Sequence, residues 1–167
     1  MLHQEQKYRV NSFTEVQAFF QARQIELSPA KTTEHYYARQ AGDDVLKLVS
    51  YQDKHEIHEL EAQQGSFVLR QSLAVADVPA GLAWLQARGY EWVDLVKMTS
   101  RDYAYQGGLV RLYLLDDWLH SVILDYPAGQ HQAVAAELGL SEKQLISVPY
   151  NKYLQELGKL RAIRLAA

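Results

Sequence analysis

The chain has 167 residues, and 17 Lys and Arg against 20 Asp and Glu give a formal net charge of −3. Its 48% apolar content suits one globular domain over 1–167, and no run approaches the ~18 apolar residues of a membrane-spanning helix. Zero cysteines exclude a disulfide scaffold, a thiolate metal site and a Cys nucleophile and fit a cytoplasmic setting, while the acidic total argues against a surface that coats nucleic acid.

Residues 3–10 alternate in the strand manner, with His3, Glu5, Lys7 and Arg9 on one face, and lack the apolar core of a signal peptide. Ser12, with Glu15 three residues on, reads as a capping box. It opens a helix to about Arg23 whose buried stripe is Phe13, Val16, Phe19 and Phe20. Strands are expected over 33–39, 45–51 and 55–62, punctuated by turns at Gly42-Asp43-Asp44, Gln52-Asp53-Lys54 and Gln64-Gly65. The order then recurs. A strand over 66–76 leads to a helix over 79–88, with Pro79 near its start and Gly89 as its stop. Strands over 91–105, 109–115 and 119–126 follow, the first two joined by a hairpin at Gln106-Gly107-Gly108. The tail, 131–160, is expected to be helical, broken at Gly139 and restarted by a box at Ser141 and Gln144. Strand, helix and three strands thus occur twice, 63 residues apart. This predicts an α+β fold, an eight-stranded antiparallel closed barrel with helices packed outside, because closure removes exposed strand edges.

Alternation divides barrel side chains into an outer and an inner set. The expected inner set holds His3, Glu5, Lys7, Arg9, Lys47, Arg70, Lys97, Arg101, Tyr103, Tyr105, Arg111, Tyr113 and Asp125. Seven cations then face two carboxylates in a chain that is acidic overall. Like charges crowded into one lumen repel, and an anion among them relieves the repulsion; Arg and Lys in that arrangement suit a polyphosphate.

The stretch His3-Gln4-Glu5-Gln6-Lys7-Tyr8-Arg9-Val10-Asn11-Ser12-Phe13 resembles the ExExK signature of the CYTH domain superfamily, in the flavour of its class IV adenylate cyclase branch. The later segment Leu138-Gly139-Leu140-Ser141-Glu142, with Leu145-Ile146, Pro149-Tyr150 and Tyr153-Leu154, is similar to that branch's closing helices. Val45-Leu46-Lys47-Leu48 stands where the family has a Leu-Arg-Ile-Arg strand, and Val96-Lys97 with Arg101 and Tyr103 stands where it has a basic, Tyr-containing strand. The resemblance implies a tunnel that binds triphosphates and, with Mg²⁺ or Mn²⁺, cyclises ATP or hydrolyses thiamine or inorganic triphosphate. It implies phosphate contacts from Lys7, Arg9, Lys47, Arg70, Lys97, Arg101 and Arg111, Lys7 and Arg101 doubling as catalytic groups, and metal ligation by Glu5, Asp125 and Asp116. The chain departs from the pattern at several acids. His3 replaces the first acid of ExExK, Val49 a second arginine, Gln71, Ser72 and Ala74 a run of glutamates, and Ser121 to Asp125 retains one acid of a pair. Asp116 or Asp117 stands for the family's preceding aspartate with the register shifted. Hard divalent cations need several oxygen ligands, so Mg²⁺ or Mn²⁺ is expected to be weakly held.

Other groups read more simply. His55 and His58 fall on opposite faces of a strand, and Trp84, Trp92 and Trp118 read as packing residues. Lys97, Arg101, Tyr103 and Tyr105 could form a basic-aromatic strand for single-stranded nucleic acid, which the acidic total disfavours. Two functions follow: a module that binds a triphosphate or nucleotide with little turnover and reports occupancy to a protein partner, or an active metal-dependent cyclase or triphosphatase. The count of lumen acids favours the module.

Overall fold

The recurring order read from the sequence is the order found. The computed structural model describes residues 2–165. It runs β1 (His3–Val10), α1 (Thr14–Ala22), β2 (Lys31–Ala38), β3 (Val45–Tyr51), β4 (Lys54–Gln63), then β5 (Ser66–Val75), α2 (Val78–Ala87), β6 (Trp92–Tyr105), β7 (Gly108–Leu115) and β8 (Leu119–Pro127). Next come α3 (His131–Glu137), a 3₁₀ turn at Glu142–Gln144, β9 (Leu145–Ile146), α4 (Tyr150–Glu156) and β10 (Arg161–Arg164). Hydrogen bonding passes along β6-β2-β3-β4-β5-β1-β8-β7 and returns from β7 to β6, while β9 adds to β1 and β10 to β6. Eight strands therefore close into an antiparallel barrel with four helices outside, the α+β class expected. No helix among the described residues is long and apolar enough to cross a membrane.

Three local expectations need correction. The cap residue of α1 is Phe13, so Glu15 sits one position early and the Ser12–Glu15 box does not form. Ser12 Oγ instead accepts from the Thr14 N–H at 3.4 Å. The Ser141–Gln144 box does form, and Asp77 caps α2 by accepting from the Ala80 N–H at 2.8 Å. The tail is not helical throughout: α3 and α4 have seven residues each, a 3₁₀ turn and β9 separate them, and β10 follows α4. Of the tryptophans, Trp84 packs on a core, whereas Trp92 and Trp118 are 38% and 39% exposed.

Contacts group the chain into two compact units. The first comprises residues up to 31, 63–68 and 99–147. In its core Tyr8, Tyr103, Val110, Leu112, Val122 and Leu124 from the strands meet Val16 and Phe20 of α1 and Val134 of α3. The second comprises 32–62, 69–98 and residues from 148 on. There Tyr36, Leu46, Leu48, Ile57 and Val93 pack with Leu85 of α2, flanked by Val78 and Leu82. Phe20, Leu48 and Leu85 are wholly buried, each worth about 1.5–3 kcal/mol relative to exposure. In each unit the helix-covered side chains define the outer face of the sheet, and their neighbours in sequence point to the inner one.

Two glycines permit close packing. A Cβ on Gly81 would lie 2.6 Å from Leu48 Cδ1, which is how α2 lies flat on β3. A Cβ on Gly108 would lie 2.6 Å from the Asp125 carbonyl oxygen and against the Tyr126 ring. Backbone cannot yield as a flexible side chain can. Gly108→Ala should therefore destabilise the protein by about 1–3 kcal/mol. A thermal melt should show a fall of roughly 2–4 °C per kcal/mol, and an unchanged melting point would disprove the close contact.

Candidate functional site

In the first unit, outer-face packing decides which residues of β1 turn inward. Tyr8 is buried with α1 and α3, so His3, Glu5, Lys7 and Arg9 take the opposite face. Pairing with β8 sets Glu5 beside Asp125, Lys7 beside Ile123 and Arg9 beside Ser121. Pairing of β8 with β7 sets Asp125 beside Leu109, Ile123 beside Arg111 and Ser121 beside Tyr113. The inner face thus carries two cross-strand rows, Lys7–Ile123–Arg111 and Glu5–Asp125–Leu109, as the sequence pattern anticipated for these strands.

Lys7 is 5% exposed, and its ammonium lies 3.9 Å from the centre of the Phe67 ring. Arg9, one step further along β1, is exposed. Arg111 reaches two carboxylates: Nη2 donates to Asp125 Oδ2 at 3.1 Å, and Nη1 lies 3.5 Å from Asp102 Oδ2. His3 Nδ1 approaches the other oxygen of Asp125 at 3.2 Å. Burial alone would lower the Arg111 pKa, but Tyr113, Asp102, Glu5 and Asp125 together hold it above its ordinary value. The Tyr113 hydroxyl is pushed up to about 12, first by burial and then by Glu5, against the opposing pull of Arg111. Two atoms of this group, Arg111 Nε and Asp102 Oδ1, are buried without a hydrogen-bond partner.

Asp102 is the residue that sequence reasoning missed, and the reason is an inverted face on β6. Tyr103 stacks on Phe20 at 4.0 Å between ring centres, and Tyr105 packs edge-on against Phe19 and Phe20. Both tyrosines therefore lie outside, under α1, and Asp102 between them and Arg101 turns inward. Arg101 shares the outer face and donates from Nε to the Ser28 carbonyl at 3.0 Å. Its expected place in the lumen is corrected. The signal was present: Tyr103 is flanked by the polar Asp102, while Val93 and Leu95 share its parity.

The second unit shows the same division. Val93 and Leu95 join the helix-side core, so alternation along β6 puts Lys97 on the outer face as well. Arg70 bonds through Nε to Glu61, each side chain being 45% exposed, and Glu61 alternates with the outer-face Ile57. Arg70 and Lys97 are thus not inner-face cations here, contrary to expectation. Lys47 is one: it pairs in register with Tyr37 and His58, opposite in parity to the core residues Leu46 and Leu48. Its ammonium lies 5.0 Å from the Tyr37 ring. His58 bonds Glu56 at 2.9 Å, and this contact holds the Glu56 carboxyl below its usual range. His55 meets Ser50 on the other face, so the two histidines do not form a pair.

Comparison with known proteins bears on the fold. No protein-family model matches the sequence, and no curated protein matches it. Among solved structures, a protein from Pyrococcus horikoshii OT3 superposes with a TM-score of 0.75 at 17% identity, covering 89% of this chain and 97% of its own. A candidate adenylate cyclase from Vibrio parahaemolyticus gives 0.66 at 16% identity, over 92% and 98% of the two chains. A candidate adenylyl cyclase from Hippeastrum, described as having a dominant triphosphatase activity, gives 0.58 at 11% identity over 96% and 98%. The chain shares the fold of these structures. At these identities the likeness speaks for the fold alone.

The CYTH resemblance implies a divalent cation, and the donor set does not fit one. Glu5 and Asp125 are neighbours, but Asp116 lies in the turn beyond Leu115, seven residues along the chain from Leu109, the partner of Asp125. At about 3.4 Å per residue that separation is roughly 20 Å, too far to share an ion. Asp116 is therefore no partner of Glu5 and Asp125. Both oxygens of Asp125 are already engaged, and Arg111 occupies the space between it and Asp102. Among the described residues, no group of three or more His, Asp or Glu is arranged to hold a metal ion.

The raised Tyr113 pKa carries a stability consequence. Above pH 10 the unfolded tyrosine releases its proton while the folded one keeps it until about 12, so the native state binds more protons and stability falls across that window. Urea unfolding at a series of alkaline pH values should show this fall, and Tyr113→Phe should make it shallower, the other raised tyrosines keeping the remainder. Parallel curves for the two proteins would refute the assignment.

Proposed function

We propose that this chain is a CYTH-like domain, spanning 1–167, that binds a triphosphate or a nucleotide through it and turns it over slowly or not at all. Three things support the reading: the tunnel fold, neighbours described as adenylate cyclases and a triphosphatase, and a buried cation on the inner face. The observation that carries it is Lys7, a lysine at 5% exposure on the inner face of the strand that resembles ExExK. An ammonium on that face is a charge-assisted donor of the kind that suits a phosphate oxygen. Lys7 and Arg9 are the proposed phosphate contacts of the first unit. Lys47 is a contact of the same chemistry in the second. Arg101, on the outer face, has no part in catalysis, and Arg70 and Lys97 have none in binding.

Slow turnover follows from the same geometry. Phosphoryl transfer needs the developing charge on the leaving group to be neutralised, ordinarily by metal, and each 1.36 kcal/mol of lost stabilisation is tenfold in rate. Carboxylates already paired with Arg111 and His3 are poor ligands for that metal. Nucleic acid is disfavoured because Tyr103 and Tyr105 are packed against α1 and present no stacking platform. A protein partner that senses occupancy, and a cytoplasmic location consistent with zero cysteines, complete the reading.

Tripolyphosphate at 100 times its dissociation constant should stabilise the fold by about 2.7 kcal/mol. For a chain of this size the melting point should rise by roughly 5–10 °C. Lys7→Met should shrink that rise, while Arg101→Met should leave it intact. No rise with tripolyphosphate, ATP or pyrophosphate would remove the binding claim. Fast hydrolysis or cyclisation with Mg²⁺ would remove the claim of slow turnover.

A further inference from the structure

Arg111 is placed as a metal ion would be. It lies on the inner face of β7, in the same row as Lys7 and one step from Asp125. Its two terminal nitrogens face two different carboxylates, Asp125 at 3.1 Å and Asp102 at 3.5 Å, and Glu5 is the register neighbour of Asp125. Three acids from three strands, β1, β6 and β8, thus surround one guanidinium. Without a cation at their centre they would repel, and a divalent ion would be the ordinary remedy. A guanidinium is planar, permanently charged and suited to carboxylate oxygens, so it supplies one positive charge there with covalent attachment to the fold, beside Lys7 of the same row. It also retains a donor, since Nε is buried with no partner.

We propose that Arg111 is the resident cation of this site, standing where the CYTH resemblance implies a divalent metal, so that the chain takes its polyphosphate as the metal-free anion. This rests on the binding reading for its ligand, but the claim about the cation can be tested without any ligand. With Arg111 present, the three carboxylates have their counter-charge and do not recruit a divalent ion. A polyphosphate wrapped around Mn²⁺ brings a second cation toward Lys7 and Arg111, which the site repels. The free anion is therefore the species that fits.

The test uses the full chain and two probes, Mn²⁺ alone and tripolyphosphate. Manganese binding is read from the loss of the free-ion EPR signal, for the wild type, Arg111→Gln and Arg111→Lys. The wild type and Arg111→Lys should leave millimolar Mn²⁺ free, and Arg111→Gln should bind it about tenfold or more tightly than either, the scale set by one lost charge interaction. Tripolyphosphate affinity of the wild type, from calorimetry, should be unchanged or weakened when Mn²⁺ replaces EDTA. Tight manganese binding by the wild type would overturn the inference, as would a folded Arg111→Gln with no gain. Should Arg111→Gln not fold, the wild-type titrations still decide: an affinity for tripolyphosphate raised about tenfold by Mn²⁺ overturns the proposal, and an equal or lower one upholds it. If tripolyphosphate binds under neither condition, the proposed function falls, while the manganese series still judges Arg111 separately.

Discussion

The stack of Phe20 on Tyr103 settles more of this structure than any charged contact. Phe20 is wholly buried in a nine-residue helix, and its ring lies nearly parallel to that of Tyr103, 19° from coplanar. Apolar area of that size has only one acceptable place, against the sheet and away from water. Once Tyr103 is held outside, the two-residue period of a strand leaves β6 no choice, and Asp102 must turn in. Tyr8, in the same core, does the same for β1, turning Lys7 and Glu5 in. The chemistry of the inner face is a consequence of aromatic packing on the outer one.

That dependence explains what could be read from sequence. β1 was legible because its two faces differ sharply: the titratable His3, Glu5, Lys7 and Arg9 alternate with Gln4, Gln6, Tyr8 and Val10. β3 was legible for the same reason, with Lys47 set between Leu46 and Leu48. β6 offers no such contrast. One parity holds Val93, Leu95, Lys97, Arg101 and two tyrosines, while the other holds Asp94, Val96, Met98 and Asp102, and each set mixes apolar with charged. Grouping by charge put the tyrosines inside, whereas grouping by their partner Phe20 puts them outside. Arg70 misled similarly, since its partner Glu61 is invisible in a one-dimensional pattern. The last strands escaped because β9 has two residues and β10 four, too few for a period to show.

The charge balance of the inner face also differs from a simple count. A lumen of seven cations would be held apart by its own repulsion until a ligand arrived. In the first unit three cations, Lys7, Arg9 and Arg111, face three carboxylates, Glu5, Asp102 and Asp125. Such a face folds without a ligand, because the ion pairs are internal. Lys7 also lies with its ammonium 3.9 Å from the centre of the Phe67 ring.

The two compact units interleave along the chain, and this has a bearing on how the protein is made. The first draws on residues up to 31, then 63–68, then 99–147, and the second fills the gaps. A ribosome releases the chain in order, so neither unit has all its parts until translation has passed residue 147. Asp94 illustrates the wait: it is 1% exposed when folded and held by Arg39 upstream, yet its other partner, Asn151, emerges 57 residues later. Contacts of such long sequence separation form slowly. Nascent chains of this protein can pair consecutive strands as they emerge, but the cores that cover their aromatic residues close late, the condition in which molecular chaperones engage their clients.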